Sequence, residues 1–156
     1  MAMKIVILED NEDRQAVMRD CLGDRFPMYE IAIFDDSREM IRYFDKHLGE
    51  TLAIALDHDL ILKPGPDGRC IDTGTGREVA DYLAARIPVC PVIIHTTNSD
   101  AATGMLMVLK DAGWKTLRVL PSEGTEWIIK DWFPAVRRAI VGPVQPRTPR
   151  TRSTHR

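Results

Sequence analysis

Leu52-Ala53-Ile54-Ala55-Leu56 runs unbroken and apolar into Asp57-His58-Asp59-Leu60, and Val92-Ile93-Ile94 runs likewise into His95-Thr96-Thr97-Asn98. A short continuous apolar run marks a strand covered on both faces. Both runs break abruptly at ionisable residues, and parallel sheets gather their ligands at the carboxyl ends of strands. Two carboxylates, two imidazoles and an amide are therefore read as two halves of one site.

Outward from these runs, the same unit recurs. Lys4–Leu8 is another apolar run, followed by Glu9-Asp10-Asn11-Glu12-Asp13 and a helical repeat of Val17, Met18, Cys21 and Leu22 that ends near Gly23. Asp10 or Asn11 suits the cap of that helix, and Glu12 and Asp13 its first turn. A strand over Tyr29–Phe34 leads through Asp35-Asp36-Ser37 to a helix with Met40, Ile41, Phe44 and Leu48 on one face. After the Leu52–Leu56 strand comes a long Gly- and Pro-rich segment, Ile61–Gly76, read as a mobile lid or a plain surface loop. A helix over Arg77–Ile87 with Val79, Leu83 and Ile87 inward, a strand over Pro91–Ile94 and a helix capped by Ser99 or Asp100 follow. Thr116–Leu120 is the fifth strand. Trp127, Ile128, Trp132, Val136 and Ile140 line a last helix, kinked or restarted at Pro134.

Five strand–helix alternations predict an α/β, flavodoxin-like three-layer sandwich with a five-stranded parallel sheet in the order 2-1-3-4-5. That order sets the first, third and fourth strands side by side. Glu9-Asp10, Asp57-His58-Asp59 and His95-Thr96-Thr97-Asn98 then converge at one end of the sheet.

The bulk numbers agree with one domain. The chain has 156 residues, 44% hydrophobic and 28% charged, ordinary values for a globular fold. Domain limits are read as 1–141, with a disordered Pro/Arg-rich tail over 142–156. The four arginines of Pro143–Arg156 leave −6 on the body from a net charge of −2. That excludes a nucleic-acid groove spread over the body and leaves the basic tail as a weak electrostatic tether to RNA or an acidic partner. No apolar run nears the roughly 20 residues of a membrane span, and no signal-peptide core follows Met1, so a cytoplasmic protein is expected. Cys21, Cys70 and Cys90 are too few and too scattered for a disulfide scaffold or a cysteine zinc site.

An acidic pair after the first strand and an aspartate closing the third resemble the receiver domains of two-component response regulators, over about Lys4 to Ile140. The resemblance implies a divalent cation, Mg²⁺ in ordinary receivers, on Glu9, Asp10 and Asp57, with Asp57 as phosphoacceptor. Two positions depart from that pattern. His95 stands where receivers carry Ser or Thr, and Leu120 stands before Pro121 where they carry lysine. An aliphatic side chain cannot neutralise an acyl phosphate.

Leu-Asp-His-Asp-Leu, Thr73-Gly74 before the third helix, and Ile-Ile-His-x-x-Asn are similar instead to the cyclic-phosphate-processing receiver domains. That resemblance implies a phosphoesterase acting on nucleotide or RNA-end 2′,3′-cyclic phosphates. Its implied site residues are Asp57, His58, Asp59, His95 and Asn98, with Thr73 and Gly74 at the loop. An imidazole flanked by aspartates suits proton transfer. His95 ranks above His58, which strand alternation places opposite Asp57 and Asp59. Asp59 and Asn98 would orient the imidazole or the substrate, with Thr96 beside them. Asn98 is equally read as a helix cap, and Arg69 or Arg77 would supply positive charge. Competing readings are a phosphoacceptor signalling module and a non-catalytic adaptor. Trp127 or Trp132, if exposed, would mark the last helix as a homodimer face.

Overall fold

The computed structural model describes residues 2–142; the expected tail, beyond Gly142, lies outside the described residues. The elements are β1 (Lys4–Leu8), α1 (Glu12–Arg25), β2 (Glu30–Phe34), α2 (Ser37–His47), β3 (Thr51–Leu56), β4 (Lys63–Pro64), β5 (Cys70–Ile71), α3 (Gly76–Ala84), β6 (Val92–His95), α4 (Ser99–Asp111), β7 (Thr116–Val119) and α5 (Phe133–Val141). All pairings in the main sheet are parallel, in the order β2-β1-β3-β6-β7. With the two-residue strands of the β4–β5 hairpin set aside, this is the expected 2-1-3-4-5. The hairpin is antiparallel and stands apart.

Strand alternation divides the interior into two cores. Val6, Leu8, Ile54, Leu56, Val92 and Ile94 face α2, α3 and α4. Ile5, Ile7, Ala53, Ala55 and Ile93 face α1, α5 and the turn before α5. Both faces of the central strands are thus dry, as their unbroken apolar runs require. Among the described residues no helix is long and apolar enough to cross a membrane.

Caps set the helix starts. Asn11 accepts from the Arg14 N–H, and Asp36 accepts from the N–H groups of Arg38 and Glu39 at 2.8 and 3.3 Å. Replacing Asp36 with Ala is expected to cost about 1 kcal/mol, read as a lower urea midpoint with unchanged slope. The cap of α4 is Asn98, not Ser99 or Asp100; its Oδ1 accepts from the Ala101 N–H. Helix α3 ends at Ala84, short of the expected Ile87, because Pro88 disfavours a helical residue before it. Ile87 is consequently 84% exposed rather than inward.

The expected break at Pro134 takes the form of a π-helical turn over Ile128–Trp132, closed by the Phe133 N–H on the Ile128 carbonyl. A proline N lacks the hydrogen of the regular ladder, and a wide turn just before it absorbs the mismatch. Trp127 and Trp132 are both buried. The aromatic stripe is core, and the condition set for a homodimer face on this helix is not met.

Candidate functional site

The strand registers build the site. Leu8 pairs with Leu56, and Leu56 with Ile94. One residue further along each strand stand Glu9, Asp57 and His95, so the three lie in one row across the sheet. Alternation aims them at the α1–α5 side, below which Ile7, Ala55 and Ile93 already pack. Their backbones stay in the ladder: the Glu9 N–H donates to the Phe34 carbonyl at 2.8 Å and the Asp57 N–H to the Leu8 carbonyl at 3.0 Å. One ligand-capable atom from each side chain lies within 4.8 Å of the other two.

Each carboxylate has one oxygen fixed by the backbone. Glu9 Oε2 accepts from the N–H groups of Asp10 and Asn11 at 2.9 and 3.1 Å, and Asp57 Oδ1 accepts from the His58 N–H at 2.7 Å. Glu9 Oε1 faces His95 Nε2 at 3.4 Å and Arg14 Nη1 at 3.6 Å. It is buried without a hydrogen-bond partner, as are both ring nitrogens of His95. The indoles of Trp127 and Trp132 wall the imidazole, with ring centroids 6.0 and 6.1 Å away.

Burial works to raise the Glu9 pKa, but the His95 imidazole, the Asn11 N–H and Arg14 together hold it below the usual range. Asp57 has no such surplus of partners. Burial, with Glu9 and Asp10 nearby, outweighs His95 and the His58 N–H and pushes its carboxyl up to about 7. Asp10 is also raised, chiefly by burial.

The remaining expected residues fall elsewhere. Asp10 turns from the row, and its Oδ2 accepts from the Ile61 N–H at 2.6 Å, tying down the base of the long loop. The strand ends at Leu56, so alternation does not carry through to Asp59. That residue is exposed, 3.4 Å from Asn98 Nδ2 and 3.9 Å from His58 Nε2, and it does not pair with His95. His58 is half-buried. Two groupings result: a buried row of Glu9, Asp57 and His95, and an outer group of His58, Asp59 and Asn98.

Thr73 and Gly74 act within the scaffold. The buried Thr73 hydroxyl donates to the Ile61 carbonyl at 3.0 Å, and the Thr73 carbonyl accepts from the Ser37 N–H. Gly74 has φ +76, and a Cβ there would stand 1.9 Å from Ser37 Oγ. Thr96 is buried, its hydroxyl accepting from the Asn98 N–H. Arg77 pairs with Asp81, and Arg69 lies exposed in the hairpin turn. The guanidinium that reaches the row is Arg14, not foreseen. Its only signal was its place directly after the acidic cluster, in the first turn of the helix. Leu120, the aliphatic residue before Pro121, is 62% exposed.

The family described as cyclic-phosphate processing receiver domain matches residues 4–111. No curated protein matches the chain. Among solved structures, the phosphorylated cyanobacterial phytochrome response regulator RcpA is similar at TM-score 0.68 and 15% identity, with 95% of this chain and 100% of that one covered. The Mn²⁺-bound response regulator Rcp1 is similar at TM-score 0.61 and 16% identity, covering 92% and 99%. The response regulator domain of Thermotoga maritima CheB is similar at 0.59 and 16%, covering 94% and 100%. At these identities the likeness shows the fold.

Proposed function

Because the chain belongs to the cyclic-phosphate processing receiver domain family, we propose that it opens nucleotide or RNA-end 2′,3′-cyclic phosphates in the cytoplasm, as a phosphoesterase. The carrying observation is the buried row of Glu9, Asp57 and His95 in a fold whose lysine position holds Leu120. A phosphoryl group on Asp57 would find an aliphatic side chain at that position, which cannot neutralise it. The row instead offers buried atoms that make no hydrogen bond, a feature that suits a divalent cation, with Mg²⁺ the expectation from ordinary receivers.

Glu9, Asp57 and His95 would hold that cation, which supplies charge neutralisation to a phosphate when bound. The chain's other residues do the positioning and the proton transfer. Asn98 caps α4, whose N-terminal turn favours an anion. His58 Nε2 lies 3.9 Å from the Asp59 carboxylate, which would orient the ring. Water attacks phosphorus and one ring P–O bond breaks. His58 takes the proton from water and returns it to the departing ring oxygen. His95, fully buried, is assigned to the cation rather than to proton transfer, which reverses the order expected from sequence.

The test is turnover of 2′,3′-cyclic nucleotides and of an RNA oligonucleotide ending in a cyclic phosphate. His58→Gln is expected to lower kcat about a hundredfold with little change in KM. Absence of turnover by the parent protein, or equal turnover by His58→Gln, overturns the proposal. A phosphoryl adduct from acetyl phosphate that disappears in Asp57→Asn would support the signalling reading instead.

A further inference from the structure

We infer that Glu9, Asp57 and His95 form a one-imidazole, two-carboxylate site that selects a borderline first-row divalent ion, such as Co²⁺ or Zn²⁺, over Mg²⁺. The inference rests on the site of the proposed function but not on its turnover. Three observations carry it.

The first is the donor set. Mg²⁺ takes oxygen ligands in near-ideal octahedra and keeps several waters. Imidazole nitrogen suits Zn, Fe, Ni and Cu, and adds nothing for a hard ion. Asp10, which would complete an all-oxygen set with Glu9 and Asp57, is engaged by the Ile61 N–H. His95 stands in the row in its stead.

The second is the state of the donor atoms. Glu9 and His95 are both fully buried, and Glu9 Oε1 and both His95 nitrogens lack hydrogen-bond partners. Unpartnered polar atoms at that depth are costly. In each carboxylate one oxygen is oriented by backbone N–H groups while, among the described residues, the other accepts no hydrogen bond. Outer partners that fix a ligand while leaving one atom free are the supporting shell of metal sites.

The third is spacing and surroundings. Glu9 Oε1 and His95 Nε2 are 3.4 Å apart, about the separation of two donors each ~2.0–2.1 Å from a tetrahedral ion. Arg14 Nη1, 3.6 Å from Glu9 Oε1, is the guanidinium that faces the row. Trp127 and Trp132 close its far side. With Asp57 only 7% exposed, the site is dry enough that ligand softness, rather than hydration, decides the ion.

The chelator-treated full-length protein is titrated with Co²⁺, Mn²⁺, Zn²⁺ and Mg²⁺, by calorimetry and thermal shift. Co²⁺ or Zn²⁺ is expected to bind at least tenfold more tightly than Mg²⁺ and, at a hundredfold excess over Kd, to raise Tm by about 5–10 °C. His95→Gln is expected to remove that preference and narrow the ratio to near unity; Glu9→Gln is expected to weaken all four ions. Should neither variant fold, pulsed EPR of the Mn²⁺-loaded parent decides, since a bound imidazole gives nitrogen hyperfine coupling. Equal affinity for Mg²⁺, no Tm shift with any ion, absent nitrogen coupling, or an unchanged ratio in folded His95→Gln each overturns the inference. A protein that binds Co²⁺ tightly yet opens no cyclic phosphate keeps this inference and overturns the phosphoesterase proposal.

Discussion

Gly76→Ala is expected to destabilise the protein by about 4 kcal/mol or more and to lower its Tm by roughly 10–15 °C. A Cβ at this position would stand 1.9 Å from the Asp57 carbonyl oxygen and 2.9 Å from both the Asp57 carbonyl carbon and Met105 Cε. The oxygen belongs to backbone already fixed in the β1–β3 ladder, so it cannot swing aside as a side-chain tip would. The Gly76 N–H also donates to the His58 carbonyl at 3.0 Å, and relief of the clash would break that bond. The first turn of α3 is therefore pressed directly against the strand end that carries Asp57. Gly23→Ala is the matched control. It lies within α1 with nothing inside 4 Å of its Cβ position and is expected to stabilise by about 0.5–1 kcal/mol. Thermal unfolding of the two variants checks the contrast. Equal effects would show that α3 is free to move away from β3.

Asp57→Asn is expected to stabilise the chelator-treated protein at neutral pH by about 2–4 kcal/mol. Burial holds the Asp57 carboxyl at about 7 against an ordinary 3.8. The native state therefore keeps a proton that the unfolded chain has released, and stability falls as pH rises between those two values. The amide removes that slope at nearly constant volume. The gap in Tm between variant and parent should be small near pH 4, widen up to about pH 7 and then level off. Glu9 acts in the opposite sense, since its pKa is lowered and its contribution is lost as pH falls below the ordinary carboxylate range. Its window lies below the one in which Asp57 acts, so the change in the gap up to about pH 7 reports Asp57. A gap that does not vary with pH would show that Asp57 is ionised without penalty in the native state.

The sheet order was legible because five apolar runs each ended in polar residues, and a parallel sheet admits few arrangements of such runs. The partition of the site was not. Whether Asp59 shares a side with Asp57 depends on where β3 stops, and Leu56 is followed by a turn whose geometry is set by Gly76 from the next helix. Likewise nothing in Glu9-Asp10 shows that the first acid stays in the row while the second holds the loop. That division follows from the Ile61 N–H, more than fifty positions away. His95 ranked first as the catalytic imidazole because strand alternation set His58 opposite Asp57 and Asp59. Its burial comes from Trp127 and Trp132, whose helical spacing marked them correctly as core but said nothing of what they cover. The dipeptide Thr73-Gly74 was visible as a feature, but its partners on Ser37 and Ile61 were not.

The π-helical turn ahead of Pro134 has an optical consequence. On a regular helix two residues five apart point about 140° away from each other, and one of Trp127 and Trp132 would look away from the sheet. The widened turn rotates both indoles onto the same imidazole, at nearly equal distances. Two of the chain's three tryptophans thereby become fluorophores in contact with the histidine at the heart of the site, while Trp114 glows in the other core. The protein carries its own reporter: emission from that pair registers any paramagnetic ion or charge arriving at His95, with no label added.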